Sequence, residues 1–244
     1  MTRTRDSILA AAAIMAVMAA VGSCGGSGAA AQHTSPPTSA AHSSASPSAP
    51  IAGGAPTEAP PTGYRWAGSA AQGVWFAVPD RWAALNLAKV SAAKAISRFA
   101  VKGMNASYLK NVVTELSQRH AIFVDDLASA VRSPHHFATN GNAFCVPTPL
   151  SPGTSSAPAL KAAVRAEYAQ IHARVLGLRN VTVDGDPGVR AEFTLTSTSG
   201  VTISDVQYVV LSKNSRLCYV TLSTDNPTAF RRTFNKIAST IRVS

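Results

Sequence analysis

The sequence lacks an apolar run long enough to cross a membrane as a permanent helix. Its longest apolar run, residues 8–21, has fourteen residues and would span roughly 21 Å as a helix, against about 30 Å for the hydrocarbon core of a bilayer. Arg3 and Arg5 precede the run, small residues end it, and no Lys or Arg cluster follows. This is the anatomy of a secretory signal, so we expect export.

The sequence also lacks the motifs that mark common catalytic and metal sites. G-x-S-x-G, H-E-x-x-H, Walker A and EF-hand spacings are absent. His135 and His136 are adjacent but have no third ligand at an evident spacing, so a surface loop is the favoured interpretation. Asp125 and Asp126 would point to opposite faces of a strand, and we expect one of them to meet an arginine. We predict a protein that is not an enzyme and has no cofactor.

Cysteine is scarce, with three in the chain, and the first lies where an apolar run meets a glycine-rich one. Val21-Gly22-Ser23-Cys24 resembles the bacterial lipobox, whose cysteine becomes the acylated first residue of a mature lipoprotein. Two or three acyl chains, at about 0.8 kcal/mol per buried CH₂, would hold the protein firmly on a membrane. We therefore predict an exported protein anchored to the outer face of the cell membrane through Cys24. Ordinary secretion with an incidental cysteine is the alternative.

The other two cysteines, Cys145 and Cys218, lie in strand-like apolar stretches. An exported domain with two remaining thiols favours a disulfide between them. Two buried free thiols are the alternative, and a redox pair is a remote one because no C-x-x-C is present.

Composition divides the chain into three parts. Residues 1–23 form the predicted signal peptide, and 24–63 are a tether of Gly, Ala, Ser, Thr and Pro in which Glu58 is the one charged residue. Such a segment buries too little apolar surface to fold, so we expect a disordered linker. Residues 64–244 are long enough for one globular domain.

Within the domain, apolar runs between turn residues predict strands, and apolar spacing of three and four predicts helices. The predicted strands are 73–78, 82–87, 121–127, 143–146, 180–183, 189–197, 201–212 and 216–224. The predicted helices are 92–101 behind Ser91, one capped by Asn105 or Ser107, one from Ser156 to Gly177, and one after Asn226-Pro227. The order favours an α+β fold, an antiparallel sheet packed with helices. Trp66, Trp75 and Trp82 are interpreted as core anchors, with a ligand groove as the alternative.

Three stretches resemble the PsbP-like fold as it is used by actinobacterial LpqN-type lipoproteins. They are GVWFAVPDRW at 73–82, GDPGVRAEFTLTS at 185–197, and RLCYVTLSTDNPTAFRRTFNKIASTIRV at 216–243. The resemblance covers roughly 73–88 and 181–243, while 89–180 matches only as helices and connecting strands. It implies a noncatalytic role in the cell envelope and a closing helix followed by a terminal strand. Fifteen Arg against seven Lys, typical of GC-rich coding, points to the same group of bacteria.

Acidic residues are also few, 12 against 22 basic ones in the full chain. A possible basic interaction face consists of residues on two predicted helices: Lys94, Arg98, Lys102, Arg231, Arg232 and Lys236. It would suit an anionic envelope lipid or polymer, although solvated helix faces are the simpler interpretation. We expect no nucleic acid partner, because the chain is exported. We predict an interaction or accessory module that contacts an envelope protein, lipid or polymer. A carrier of a lipid or other amphiphile between sheet and helices is the alternative, and an unrecognised envelope enzyme is the second.

Overall fold

The structure is a computed structural model that describes residues 55–91, 93–94, 106–148, 150, 157–196 and 200–244. The predicted signal, Cys24, most of the tether, Arg98 and Lys102 lie outside the described residues. The described strands are β1 Tyr64–Ser69, β2 Val74–Pro79, β3 Ala83–Asn86, β4 Ile122–Asp126, β5 Thr139–Pro147, β6 Arg174–Val183, β7 Asp186–Thr196, β8 Thr202–Ser212, β9 Arg216–Thr224 and β10 Arg242–Val243. The described helices are α1 Ala106–Gln118, α2 Leu127–Arg132, α3 Ala157–Gln170 and α4 Pro227–Ala238. None of these helices is long and apolar enough to cross a bilayer.

The strands form two antiparallel sheets. The main sheet has seven strands in the order β3-β4-β5-β9-β8-β7-β6, and a small sheet has the order β1-β2-β10. The last four long strands follow each other as a meander, which short turns allow only between antiparallel neighbours. One turn is set by Asp184 and Gly185, which both have positive φ, as a two-residue hairpin requires. The predicted α+β fold is confirmed, including the closing helix and the terminal strand.

The main sheet buries a separate apolar cluster on each face. On the first, which we call the helix face, side chains of α1 and α3 such as Leu116 and Val164 pack against Phe144 and Phe193. On the second, the α4 face, the small sheet and α4 contribute Phe76, Val78, Phe234 and Ile237, among others. Strand alternation sends successive side chains of every central strand to these two clusters in turn.

The three tryptophans of the domain do not all lie in the core. Trp82 is buried at 1% exposure and belongs to the cluster of the α4 face. Trp66 and Trp75 are half-buried, and Trp66 donates its indole N–H to the carbonyl of Glu58 at 2.9 Å. The core-anchor interpretation is therefore confirmed for Trp82 alone.

Helix α3 ends earlier than the apolar spacing predicted. The prediction ran to Gly177, but the helix ends at Gln170, and both Val175 and Gly177 lie in β6. His172 takes the left-handed conformation at φ 55°, and backbone hydrogen bonds of the Schellman type close the last turn there. Glycine is the usual residue for this conformation, so the sequence pointed to Gly177 and not to a histidine.

Two smaller predictions also needed correction or extension. The strand predicted over 143–146 is longer, because β5 already begins at Thr139, and the short helix α2 before it was not predicted. Helix α1 begins at Ala106, which places Ser107 inside the helix and not at its cap. Ser91 accepts the N–H of Lys94 on its hydroxyl at 3.3 Å, the bond expected of a cap. The rest of the predicted helix, 95–101, lies outside the described residues.

Cys145 and Cys218 lie opposite each other on β5 and β9, and their sulfurs are at disulfide-bonding distance, 2.05 Å. Both are buried in the cluster of the α4 face. The pair ties the middle of the main sheet together across 73 residues of sequence.

Candidate functional site: an arginine-lined groove

Helix α4 is the element that brings positive charge to a concave surface. It begins where Asn226 accepts the N–H of Ala229 at 3.2 Å and Pro227 takes the first position, both standard helix-start signals. Its apolar side, with Phe234 and Ile237, packs on the α4 face of the sheet. The neighbouring side, with Arg231 and Asn235, faces the outer strands.

Two adjoining clefts, of about 310 Å³ and about 250 Å³, run between α4 and strands β6 to β8. Both are lined by Arg179, Arg190 and Asn235, so they form one continuous groove. Arg231 lies at one end and Arg242 at the other. We call this the arginine groove; along the twelve residues of α4 it extends over roughly 18 Å.

Arg179 and Arg190 form the centre of the groove. They are directly opposed across β6 and β7, and both lie on the α4 face, since Val181 and Tyr208 beside them belong to its cluster. Like charges directly opposite each other on one face of a sheet are unfavourable. Negative charge must offset this repulsion. The contacts of the two side chains show how much of that charge the protein itself supplies.

Arg190 is held firmly. It is 8% exposed, donates from Nε to the hydroxyl of Tyr208 at 3.0 Å, and lies over the Tyr208 ring at 5.9 Å. Its Nη1 donates to Glu192, which is the carboxylate nearest the centre of the groove and is itself 45% exposed on its side chain. A buried arginine with fixed hydrogen bonds is a preorganised donor, because little side-chain entropy is lost when a ligand binds.

The other arginines differ in their partners. Arg242 pairs with Glu58 at 3.1 Å and with Asp184 at 3.8 Å. Among the described residues, no carboxylate lies within ion-pair distance of Arg179 or Arg231. The groove therefore has four arginines against two lining carboxylates, Glu192 and Asp184, and an anion would complete its charge.

The predicted basic face and this groove overlap at one residue. Arg231, Arg232 and Lys236 are all exposed on α4, as predicted, but Arg231 alone lines the groove. Lys94 is exposed on a separate segment. Sequence reasoning missed Arg179, Arg190 and Arg242. The alternation in 189–193 does place Arg190 and Glu192 on the face opposite to that of Val189 and Phe193. The sequence does not reveal that α4 packs beside that face.

A third cleft, of about 450 Å³, lies at the other end of α4 and is the weaker candidate. Arg81 and Arg132 approach the same Oδ2 atom of Asp126, each at 3.6 Å, as expected for one of the two aspartates. His135 also lines this cleft, together with Asp225. The two arginines thus have two carboxylates among them, which leaves little net charge to bind a ligand.

The remaining candidates from the sequence are separated by the fold. Asp125 is 1% exposed and points to the face opposite Asp126; burial first, and the charge of Asp126 second, raise its pKa to about 8. His135 and His136 are exposed in the loop after α2. In the part of the chain that the structure describes, no three His, Cys, Asp or Glu side chains are grouped as metal ligands.

No family model matches the chain, and no curated protein matches it with significance. Among solved structures it is similar to the solution structure of cyanobacterial PsbP (CyanoP) from Synechocystis, with a TM-score of 0.46 and 14% identity over 75% of this chain and 93% of that one. A Bacteroides thetaiotaomicron protein gives 0.36 and 8% identity over 70% and 45% of the two chains. The Pseudomonas aeruginosa protein PA94, of unknown function, gives 0.32 and 14% over 42% and 70%.

Proposed function

We propose that this protein is an exported, noncatalytic interaction module that binds an extended anionic polymer of the cell envelope in the arginine groove. In this proposal the domain is tethered to the outer face of the cell membrane by a lipid on Cys24. The resemblance of its sequence to LpqN-type lipoproteins with a PsbP-like domain supports this setting. The observation that carries the binding role is the opposed pair Arg179 and Arg190.

Repulsion between Arg179 and Arg190 destabilises the folded state unless an anion binds beside them. Arg190 has one half-exposed carboxylate partner, Glu192, while Arg179 is exposed and unpaired among the described residues. Arg231 faces them from α4 across the same cleft. Planar guanidinium groups bind phosphate and carboxylate oxygens in pairs, so three of them around one groove suit an anionic group.

The shape of the site favours a chain over a flat surface. The two clefts are recessed between a helix and the sheet, and Arg190 is 8% exposed. A planar membrane surface would meet the exposed Arg232 and Lys236 before it reached Arg190. An extended polymer is narrow enough to enter, and a groove of roughly 18 Å would hold several repeating charges at once.

The residues that line the groove also support a binding role over catalysis. They include no histidine and no cysteine, and among the described residues no hydrogen bond joins the hydroxyl groups of Ser204 and Tyr208 to the lining carboxylates. The carrier and enzyme alternatives stay predictions.

The binding role is tested by titrating full-length protein with sodium polyphosphate in isothermal titration calorimetry. We expect Arg179→Gln and Arg231→Gln each to weaken binding by about tenfold, the weight of one hydrogen bond to a charged group. Arg232→Gln is the matched control, because it is adjacent to Arg231 on α4 but does not line the groove.

The outcomes separate a groove from diffuse surface charge. An equal loss in Arg232→Gln would mean that net charge alone attracts the polymer. If polyphosphate does not displace the protein from phosphatidylglycerol vesicles, the membrane surface is the partner. Absence of binding to polyphosphate would reject the arginine groove as a site for an anionic polymer.

The anchor has its own test. Cys24→Ala should abolish acyl labelling and release the protein from the membrane fraction, because the acyl chains supply the membrane affinity. Unchanged retention of the variant would mean that another segment anchors the chain.

A further inference from the structure

The helix face of the main sheet has a row of polar residues across its middle. Asp125 on β4, Asn140 on β5, Ser223 on β9 and Asp205 on β8 are in register, each opposite the next. All four point to the helix face, because each lies an even number of residues from a member of its apolar cluster. At about 4.8 Å between strands the row is roughly 14 Å long.

A second polar row lies beside the first. Asn142, Thr221 and Gln207 are in register on β5, β9 and β8, two residues along each strand from the first row. Two residues rise roughly 7 Å along a strand, so the rows form a block of about 14 by 7 Å. We call these seven residues the polar patch.

The patch interrupts a surface that is otherwise apolar. The strands on either side continue the same rows with Ala83 and Phe193 in the first, and with Phe123 and Ala191 in the second. Central strands beneath helices are normally apolar, because burying a polar group without a partner is costly. Polar residues in the centre with apolar residues at both ends are the reverse of that pattern.

The hydrogen bonds within the patch leave two carboxylate atoms without partners. Tyr168 on α3 donates to Gln207 at 2.7 Å, and Gln207 donates to Thr221 at 2.9 Å. Ser223 donates to Oδ1 of Asp205. Oδ2 of Asp205 and Oδ1 of Asp125 are buried without a hydrogen bond, and the two residues are only 6% and 1% exposed. A network with a purely structural role would satisfy such atoms.

The middle of the patch is nevertheless accessible. Asn140, Thr221 and Ser223 are half-buried, although β5 and β9 are interior strands of the sheet. A molecule on the helix side can therefore reach the patch between the two buried carboxyl groups.

We propose that the polar patch is a binding site for a neutral, hydroxyl-rich ligand of about disaccharide size. Carboxyl, amide and hydroxyl groups side by side offer the mixture of donors and acceptors that sugar hydroxyl groups need. Phe123 and Phe193, at the edges of the two rows, are buried in the apolar cluster, so polar groups and not aromatic rings would hold the ligand. The block matches two linked rings in area.

Charge disfavours an anion at the patch. The ionised fraction of the two carboxyl groups repels an anion, and so does that of Glu167, which is buried nearby on α3. Burial raises the pKa of Glu167 to about 7, against the opposing charge of Arg119, which lies over Phe144 beyond the patch. Burial also raises the pKa of Asp205 to about 7, against the hydrogen bond from Ser223. Protonated carboxyl groups both donate and accept, which suits hydroxyl groups better than a metal ion.

The site is tested by saturation-transfer NMR on full-length protein with maltose, cellobiose and sucrose as probes. We expect transfer to at least one sugar, and binding about tenfold weaker in Asp205→Asn and in Thr221→Val, the weight of one hydrogen bond. Asp80→Asn, in the exposed turn after β2 and outside both candidate sites, should leave this binding unchanged. Circular dichroism checks the fold of each variant, and Thr221→Val keeps the side-chain shape if Asp205→Asn fails to fold.

Two results would overturn the proposal. One is the absence of transfer from the natural protein to all three sugars. The other is transfer that persists unchanged in a folded patch variant. Neither result bears on the arginine groove, whose probe and variants are different.

Discussion

The two faces of the main sheet handle polar groups in opposite ways. On the α4 face the centre is apolar and holds the Cys145–Cys218 pair, while arginines lie at the outer margin over β6 and β7. On the helix face the outer strands are apolar and the centre carries Asp125, Asp205 and five further polar residues. One sheet thus presents a charged margin on one side and a polar centre on the other.

This difference determines which groups respond to pH and which respond to salt. At the margin, groups such as Arg179 are exposed to water and to dissolved ions, so their interactions weaken as salt rises. At the centre, burial disfavours the charged form, so the pKa of Asp125 rises to about 8 and that of Asp205 to about 7. Perturbed carboxyl groups of this kind are often functional.

The largest effect that would test this contrast is the pH dependence of stability. The folded state keeps a proton on Asp125 up to about pH 8, whereas the unfolded state releases it near the ordinary 3.8. Stability from this group is therefore complete below pH 3.8 and is lost as pH rises toward 8, by on the order of 5 kcal/mol. Urea unfolding over this range should show a smaller decline in Asp125→Asn than in the natural protein.

The groups that face Asp125 define the controls. Asp126 next to it raises its pKa further, and its strand neighbours Ala83 and Asn140 bring no charge. Asp80→Asn, in the exposed turn after β2, should leave the slope unchanged. An unaltered slope in Asp125→Asn would show that this carboxyl group is not desolvated, and the contrast between the faces would fail at its centre.

The next largest effect is the difference in stability lost when a buried side chain is truncated on each of the two faces. Phe76 is fully buried on the α4 face, and Phe76→Ala should cost about 3 to 5 kcal/mol through lost transfer energy and a cavity. Asn142, 5% exposed in the polar patch, has no side-chain hydrogen bond within the described residues, so Asn142→Ala should cost less than about 1 kcal/mol. Equal losses in urea unfolding would mean that the patch is packed as firmly as the apolar cluster.

Local pattern was enough to predict most of the fold. The strand runs in 189–224 and the cap at Asn226 appear in the structure where their residues placed them. Neither candidate site could be found that way. Arg179 and Arg190 lie on one hairpin whose two-residue turn sets their pairing, but no local pattern places α4 beside them. Asp125 and Asp205 are eighty residues apart, and only the register of the strands brings them together. The sequence carries no local signal for register between distant strands.

The end of α3 was also not predicted by local sequence pattern. It provides the prediction with the smallest expected change in stability. The two described helices α1 and α3, on the helix face, each end at a histidine with positive φ, His120 after α1 and His172 after α3. Helix α4, on the other face, ends at Ser239 with an ordinary φ of −66°. The left-handed conformation strains every residue that has a Cβ, and glycine escapes that strain at the expense of a more flexible unfolded chain.

His172→Gly should therefore raise the free energy of unfolding by up to about 1 kcal/mol, since relief of strain exceeds the added chain entropy. Ser239→Gly should lower it by about 0.5 to 1 kcal/mol, because no strain is relieved and the entropy cost remains. Thermal and urea unfolding of the two variants would measure this difference in sign. A loss of stability in His172→Gly would mean that the histidine side chain itself stabilises the helix end, and that the two faces do not differ in how their helices close.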